Sequence, residues 1–193
     1  MRGKRRKERM ILKNATLHIG NGEVFQGDMR IADGKIVEVG KNINGDESRS
    51  LNGKHVFPGF IDSGNFLGAQ DMAFFAKDYN ENSNPVTPYL DIWHSIDPDE
   101  LSLQELYKAG ITSMLVTPGN EGILGGTCTV VKTKGKNINK ITVKRDAAMK
   151  ASMTSEVIRV FSGKGSPQTP MALIAMLKTA LQTTEYALSL IHI

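Results

Sequence analysis

Apolar and polar residues alternate in short runs over residues 10–57. The runs on either side of Asn21-Gly22 and of Asp33-Gly34 are rich in Ile and Val, as half-buried strands are. Both dipeptides accept a positive φ at two successive positions, which a type I′ hairpin turn requires. A third such pair, Asn52-Gly53, leads into the next apolar run. The pattern predicts a small β-sandwich-like domain of antiparallel strands, which cannot bury much surface alone.

The pattern changes at Val56. The run Val56–Asp62 is apolar without alternation, which is typical of a strand covered on both faces. Residues 63–95 are largely polar, and connections of that length are usually functional. A second apolar run, Ile111–Thr117, follows a predicted helix and ends at Pro118-Gly119. Strand, helix and strand predict a βαβ unit with parallel strands and a right-handed crossover.

The helix between these strands has sequence signals at both ends. Asp97 is the predicted N-cap, Pro98 fits the first helical position, and Glu100 completes a capping box. Gly110 is predicted to end the helix. The apolar face consists of Leu103, Leu106 and Tyr107.

Two further elements follow the second strand. Residues 125–145 are rich in β-branched side chains and contain a glycine turn, which predicts a hairpin that decorates the rim. Another helix is predicted to begin near Ser166 or Thr169, each of which precedes a proline. Its apolar stripe consists of Leu173, Ile174, Leu177, Leu181 and Leu188. The pattern as a whole predicts an α/β chain with an N-terminal all-β part.

The charge is concentrated at the N-terminus. The chain has a formal net charge of +4, but residues 2–9 carry six Lys/Arg and one Glu, which is +5 and leaves −1 for the rest. We expect residues 1–9 to be a disordered basic leader. The near-neutral remainder argues against a nucleic-acid-binding surface, and the alternative of a nucleic-acid-binding arm rests on residues 2–9 alone.

The composition of the chain gives a prediction of its cellular compartment. The chain is 40% hydrophobic and 23% charged, as ordinary globular proteins are. No window approaches the roughly 18 apolar residues of a membrane span, and no apolar run follows the basic start as in a secretory signal. The single cysteine, Cys128, excludes an intramolecular disulfide and fits a reducing compartment. These features predict a cytoplasmic protein without a membrane partner.

The segment 58–68 reads PGFIDSGNFLG. It resembles the entry strand of the amidohydrolase superfamily, which typically reads PG-hydrophobic-ID-x-H-x-H-hydrophobic-G. The similarity is greatest to the imidazolonepropionase-like amidohydrolases. It extends to an Asp-Gly-Lys-Ile turn before this strand, and to NPVTPYLDIWHSIDP, AGIT, GILGGTCTVVKTKG and the Met-Lys of AAMKASM after it. The resemblance covers the chain from Met10 to about Leu181.

The resemblance implies a fold and a chemistry. Residues 58–193 would be the start of a (β/α)₈ TIM-type barrel, incomplete because a whole barrel takes roughly 250 residues. In the family, a zinc-type divalent metal activates water, which hydrolyses a carbon–nitrogen bond other than a peptide bond in a small-molecule substrate. The two histidines of H-x-H ligate that metal from the same side of a strand. Later strands would supply the remaining ligands.

This chain departs from the family at the metal-ligand positions. Gly64 and Phe66 stand where the two histidines are expected, and neither side chain has a ligand atom. We therefore expect this chain to hold no metal or other cofactor. Asp62, Asn65 and His94 are predicted to line the site, Asp62 as a residue that supports the metal ligands without being one of them. The alternatives are that Asp62 caps a loop and that His94 is a solvated loop residue.

No two of the chain's histidines share a chelating spacing, so His18 and His55 are predicted to be structural. His192 lies in the tail 188–193. Glu81 and Asp91 are polar loop residues for which no partner is predicted. Cys128 is predicted to be a small core residue. The glycines that follow the second strand lack the phosphate-binding pattern and predict a tight turn: Gly119, Gly122, Gly125 and Gly126.

Two functions stay open at this point. The chain is either an inactive N-terminal fragment of an amidohydrolase or an amidohydrolase-like binding or assembly protein that has lost its metal ligands. Because Gly64 and Phe66 cannot ligate a metal, they favour the binding or assembly protein over the amidohydrolase as the activity of this molecule. Strands Val56–Asp62 and Ile111–Thr117 would each leave an edge unpaired in an open barrel. Such edges predict self-association or marginal stability.

Overall fold

The computed structural model describes residues 9–45, 47–70 and 77–191, with side chains described as far as residue 183. The chain divides into two compact units, Met1–Pro58 and Gly59–Ile193. Residues 1–8 of the predicted leader and His192 of the predicted tail lie outside the described residues. None of the helices in the described ranges is both long and apolar enough to cross a membrane.

The first unit is a single five-stranded sheet. Its strands are β1 (Arg9–His18), β2 (Val24–Ala32), β3 (Lys35–Gly40), β4 (Ser48–Ser50) and β5 (His55–Val56). The order is β3-β2-β1-β4, and β5 also pairs with β1. β1, β2 and β3 are antiparallel neighbours, whereas β4 and β5 run parallel to β1. The described strands of this unit therefore belong to one sheet with both antiparallel and parallel neighbours.

Two of the three dipeptides that the sequence places in turns of this unit have the expected backbone conformation. Asp33-Gly34 and Asn52-Gly53 have positive φ at both residues, as predicted. At Asn21-Gly22 only the glycine has a positive φ. The Asn21 side chain instead accepts a hydrogen bond from the Glu23 N–H at 2.9 Å. A longer loop stabilised by a local side-chain bond therefore replaces the predicted type I′ turn.

The core of the first unit lies between β1 and β2. Ala15, Leu17 and Met29 are buried, and Val56 packs against them. On the edge strand β3, by contrast, Ile36 is 63% exposed. One layer of this size cannot cover both of its faces, and its apolar edge residues stay exposed.

The second unit combines a four-stranded sheet with helices. Its strands are β6 (Phe60–Asn65), β7 (Ile111–Val116), β8 (Leu124–Lys132) and β9 (Thr142–Ala151). Its α-helices are α1 (Leu101–Lys108), α2 (Ile138–Ile141), α3 (Ser155–Phe161) and α4 (Pro170–Ile191), and a 3₁₀ helix spans Ile92–Ser95. The sheet order is β6-β7-β8-β9. β6 and β7 are parallel and α1 lies between them in sequence, so the predicted βαβ unit is confirmed. The predicted hairpin is also present as β8 and β9, but it extends the main sheet beside β7.

The predicted strand Val56–Asp62 is wrong in extent and in burial. Val56 belongs to β5 of the first unit, and β6 begins only at Phe60. Pro58 separates the two strands, and a proline has no N–H to donate to a ladder. In β6, Ile61 is 75% exposed, so this strand is not covered on both faces.

The predicted unpaired edge of Ile111–Thr117 is also wrong. β7 pairs with β6 on one side and with β8 on the other. The prediction failed because the hairpin was expected at a rim, whereas its first strand occupies that edge. β6 is an end strand of the sheet as described and pairs with β7 alone.

The helices differ from prediction mainly at their beginnings. α1 begins at Leu101, because Asp97 accepts a hydrogen bond from the Asp99 N–H at 2.9 Å and forms a turn before the helix. Glu100 is the N-cap and its side chain makes no capping bond. Gly110, with φ +91°, ends the helix as predicted. Tyr107 is exposed and is not part of the buried face.

α4 begins at Pro170, which confirms Thr169 and excludes Ser166 of the two predicted starts. The Thr169 hydroxyl accepts a hydrogen bond from the Ala172 N–H at 3.2 Å. Of the predicted stripe, Leu173 is buried against α3, whereas Ile174 and Leu181 are exposed. α3 itself was not predicted, because its seven residues are too few to show a clear helical period.

Candidate functional site

The carboxyl end of β6 is closed by a local hydrogen-bond network. The Asp62 carboxylate accepts bonds from the Gly64 N–H at 3.0 Å and from the Asn65 amide. Asn65 in turn accepts a bond from the Leu67 N–H at 2.8 Å. Its backbone oxygen accepts from the Thr117 N–H at 2.8 Å, so the ends of β6 and β7 lie side by side. Asp62 and Asn65 therefore shape the strand end.

The two positions at which the amidohydrolase pattern has histidines do not suit a metal ion. Gly64 has no side chain, and a Cβ built there would lie 3.4 Å from Thr117. The Phe66 ring stacks on Tyr79, with 4.1 Å between centroids and 21° between planes. Nor do any three His, Cys, Asp or Glu side chains within the described ranges lie close enough to share a metal ion. The donor atoms present here do not fit the metal that the family resemblance implies.

A cavity of about 340 Å³ opens beyond the carboxyl end of β7. Pro118 lines it. The Gly119 N–H donates a hydrogen bond to the backbone carbonyl oxygen of Tyr79 at 2.8 Å, which fixes the loop that forms one wall. The lining residues are Asp78, Tyr79, Asn80, Glu81, Tyr89, Leu90, Asp91, Ile92, His94, Ser95, Pro118 and Gly125. The carboxyl ends of parallel strands are where α/β folds generally bind ligands.

His94 lies in the wall of this cavity. It is exposed, and its ring meets Trp93 edge-on with 5.1 Å between centroids. Asp62 and Asn65 are not among the described residues that line the cavity. Of the three predicted site residues, the structure thus brings only His94 to the cavity.

Asp91, a charged residue of the cavity wall, has both a hydrogen-bond partner and an ion-pair partner, although the sequence predicted neither. Its carboxylate forms an ion pair with Arg145 and accepts a hydrogen bond from the Trp93 N–H at 2.9 Å. Burial alone would raise the pKa of Asp91, but the hydrogen bonds from Arg145 and Trp93 outweigh it and lower the pKa below its ordinary value. Arg145 also lies over the Trp93 ring, 4.3 Å from its centroid. Asp91 is therefore ionised and held in place at neutral pH.

Glu81 also has a partner that the sequence did not indicate. It accepts a hydrogen bond from the Ser83 N–H at 2.8 Å. This bond and the one from the Ser83 hydroxyl lower the pKa of Glu81. Glu81 is exposed and lines the cavity, so its carboxylate adds a negative charge there.

A further ion pair, missed by sequence reasoning, lies just after β7. Glu121 is 6% exposed, and its carboxylate is 3.3 Å from the Lys77 ammonium. A buried carboxylate requires such a partner. The two residues are 44 positions apart, so no local pattern could have paired them.

The glycines after β7 allow neighbouring segments to pack closely against the backbone, and they do not form the predicted tight turn. Gly125 and Gly126 lie inside β8, which corrects the predicted tight turn. Gly126 has φ +108°, and a Cβ there would lie 2.4 Å from the Leu90 oxygen. A Cβ at Gly119 would lie 1.8 Å from the Asn80 side-chain oxygen. Both glycines allow the loop that forms the cavity wall to lie directly on the strand ends.

Cys128 lies in β8 and is 2% exposed. Burial raises the pKa of its thiol, which the charge of Lys150 only partly offsets. A buried thiol with a raised pKa is a poor nucleophile. The position of Cys128 is that of a small core residue.

No family model matches the chain, and no curated protein matches it. Among solved structures, the chain is similar to the crystal structure of an amidohydrolase from Thermotoga maritima MSB8, with a TM-score of 0.86 and 27% sequence identity. The similarity covers 93% of this chain and 48% of that one, so the chain spans about half the length of that structure. The chain has an amidohydrolase-like fold, a mixed α/β structure with a strand-rich N-terminal part.

Proposed function

We propose that the chain binds a small molecule in the cavity beyond β7, and that it does so without a metal held at positions 64 and 66. The observation that carries this proposal is the stack of Phe66 on Tyr79, a residue of the cavity wall. The position of a family metal ligand is here an apolar support for the wall. The residues from Gly59 onward would form the first part of an incomplete (β/α)₈ barrel.

The cavity has the composition of a binding site. Tyr79 and Tyr89 offer aromatic surface, and His94, Asp91 and Asn80 offer polar groups at its wall. A few fixed polar groups on an aromatic lining are typical of small-molecule sites. Asp91 is oriented by two partners before any ligand arrives, which lowers the cost of ordering it on binding.

A second candidate is hydrolysis of a carbon–nitrogen bond other than a peptide bond. It is favoured by the similarity to a Thermotoga maritima structure described as an amidohydrolase. In this alternative the metal ligands would come from residues outside the present chain, and the substrate would be a small molecule. The residues at Gly64 and Phe66 supply no atom for that chemistry.

Trp93 provides a built-in probe for the binding proposal. It is the chain's one tryptophan, and its neighbours Ile92 and His94 both line the cavity. Fluorescence of the metal-free chain, kept in EDTA, would be titrated with a panel of small amides: hydantoin, 2-pyrrolidone and N-acetylglycine. We expect at least one to change the emission saturably, and Tyr89→Ala to weaken that binding.

The matched control is Tyr107→Ala. Tyr107 is an exposed tyrosine on α1 that does not line the cavity. Its replacement should leave the titration unchanged. Equal loss in both variants, or no saturable response to any amide, would contradict binding at the cavity. A response that appears only when Zn²⁺ is added would favour the hydrolase alternative.

A further inference from the structure

The first unit brings two histidines into direct contact. His18 Nε2 and His55 Nδ1 are 2.8 Å apart, although the residues are 37 positions apart in sequence. The sequence indicates two structural histidines without a chelating spacing, and no local pattern indicates that their rings meet. Both rings are accessible at the sheet surface.

Strand pairing holds the two rings together. β1 and β5 are parallel, with Thr16 opposite His55 and Leu17 opposite Val56. Because side chains alternate along a strand, His18 lies on the same face as Thr16 and therefore on the face of His55. The Phe57 ring stacks on His18 with 4.0 Å between centroids, and this contact restricts the rotation of the imidazole.

We propose that His18 and His55 form a two-imidazole site for a divalent transition-metal ion that prefers square-planar or octahedral geometry, such as Ni²⁺ or Cu²⁺. Imidazole nitrogen is a preferred ligand of these ions. With metal–nitrogen bonds of about 2.0–2.1 Å, two cis nitrogens lie about 2.9 Å apart at a right angle and about 3.4 Å apart in a tetrahedron. The observed 2.8 Å is close to the right-angled case.

Metal binding requires one lone pair from each ring. In the contact as it stands, one imidazole donates a hydrogen bond and the other accepts it. On binding, both neutral rings would carry their proton on the outer nitrogen, which is Nδ1 of His18 and Nε2 of His55. Water would complete the coordination.

The test is a calorimetric titration of the full, tag-free chain with NiCl₂ at pH 7.5. We expect one Ni²⁺ per chain, released by EDTA. His18→Ala and His55→Ala should each weaken binding roughly tenfold or more. His94→Ala is the matched control, since His94 belongs to the other unit, and it should bind as the unaltered chain does.

His18→Gln and His55→Gln keep a polar side chain and guard against loss of folding in the alanine variants. Circular dichroism would verify that the variants are folded. No binding by the unaltered chain would show that the pair is only a hydrogen bond, and would overturn the proposal. So would binding that survives all four substitutions at His18 and His55, or binding that is lost in His94→Ala. None of these outcomes depends on the amide titration of the cavity.

Discussion

The ring of Phe66 stacks on the ring of Tyr79, with 4.1 Å between centroids. Phe66 follows the end of β6, and Tyr79 lies in the wall of the cavity beyond β7. The side chain at position 66, where the amidohydrolase pattern has a histidine, therefore packs against a residue of the cavity wall. The contact joins the segment that follows β6 to the wall of the candidate binding site.

The first prediction concerns this contact. Phe66→Leu keeps an apolar side chain but removes the ring, and we expect it to lower the free energy of unfolding by about 1 kcal/mol. Tyr89→Leu is the control, because Tyr89 is 75% exposed and should change stability by less than about 0.5 kcal/mol. Urea denaturation measures both. Equal effects would mean that the stack contributes nothing specific.

The second prediction concerns the close approach at Gly126. Its φ of +108° disfavours any side chain, and the Leu90 oxygen would lie 2.4 Å from an added Cβ. We expect Gly126→Ala to destabilise the chain by about 2 kcal/mol or more. Gly163→Ala is the matched control, since a Cβ there meets nothing within 4 Å. Thermal unfolding of the two variants should separate them clearly; matching midpoints would contradict the described backbone.

The third prediction concerns the pH dependence of Asp91. Its pKa is lowered in the folded chain, so its stabilising effect is present above the unfolded pKa of about 3.9. That effect disappears as the pH falls through the lower folded value. We expect Asp91→Asn to cost about 1 kcal/mol at pH 7, a modest amount because Arg145 is 44% exposed. The deficit should shrink as the pH approaches 3.

Asp99→Asn serves as the control for that series, because Asp99 is an exposed loop carboxylate. It should differ little from the unaltered chain at any pH. The measurement is the unfolding midpoint of both variants and of the unaltered chain from pH 7 to pH 3. A deficit in Asp91→Asn that grows at low pH would show that the sign of the argument is wrong.

The fourth prediction concerns association. β6 pairs with β7 and with no other strand in the described part of the chain, and Ile61 on it is 75% exposed. An apolar edge of this kind recruits other chains. We expect the 193-residue chain to form dimers or larger species at micromolar concentration, and Ile61→Lys to reduce them. Ile174→Lys on α4 is the control, and analytical ultracentrifugation is the measurement; a monomer at all concentrations would contradict the prediction.

Local sequence signals predicted the elements that depend on neighbouring residues. Asp33-Gly34 takes positive φ at both positions, and Gly110 ends α1, because each depends on a backbone preference that the residue itself carries. The βαβ arrangement followed from the order of apolar runs. The start of α1 was misplaced because Asp97 had a competing local use, a turn closed by the Asp99 N–H.

Contacts between distant residues were not predictable in this way. The pairing of Asp91 with Arg145, and the meeting of His18 with His55, both depend on how strands are placed side by side. Apolar runs indicate that a strand exists but not which neighbour it takes, so β8 was not recognised as the partner of β7. The cavity itself arises from a loop, 78–95, whose conformation no periodic pattern specifies.

The most direct test of the central claim is an anomalous diffraction map of crystals of this chain grown with excess Zn²⁺. The claim is that positions 64 and 66 hold no metal and that Phe66 instead supports the wall of the cavity. We predict no zinc peak bonded to any side chain of residues 62–66 or of the cavity, with the Phe66 ring stacked on Tyr79. A zinc ion about 2.0–2.3 Å from ligand atoms in either place would contradict the account.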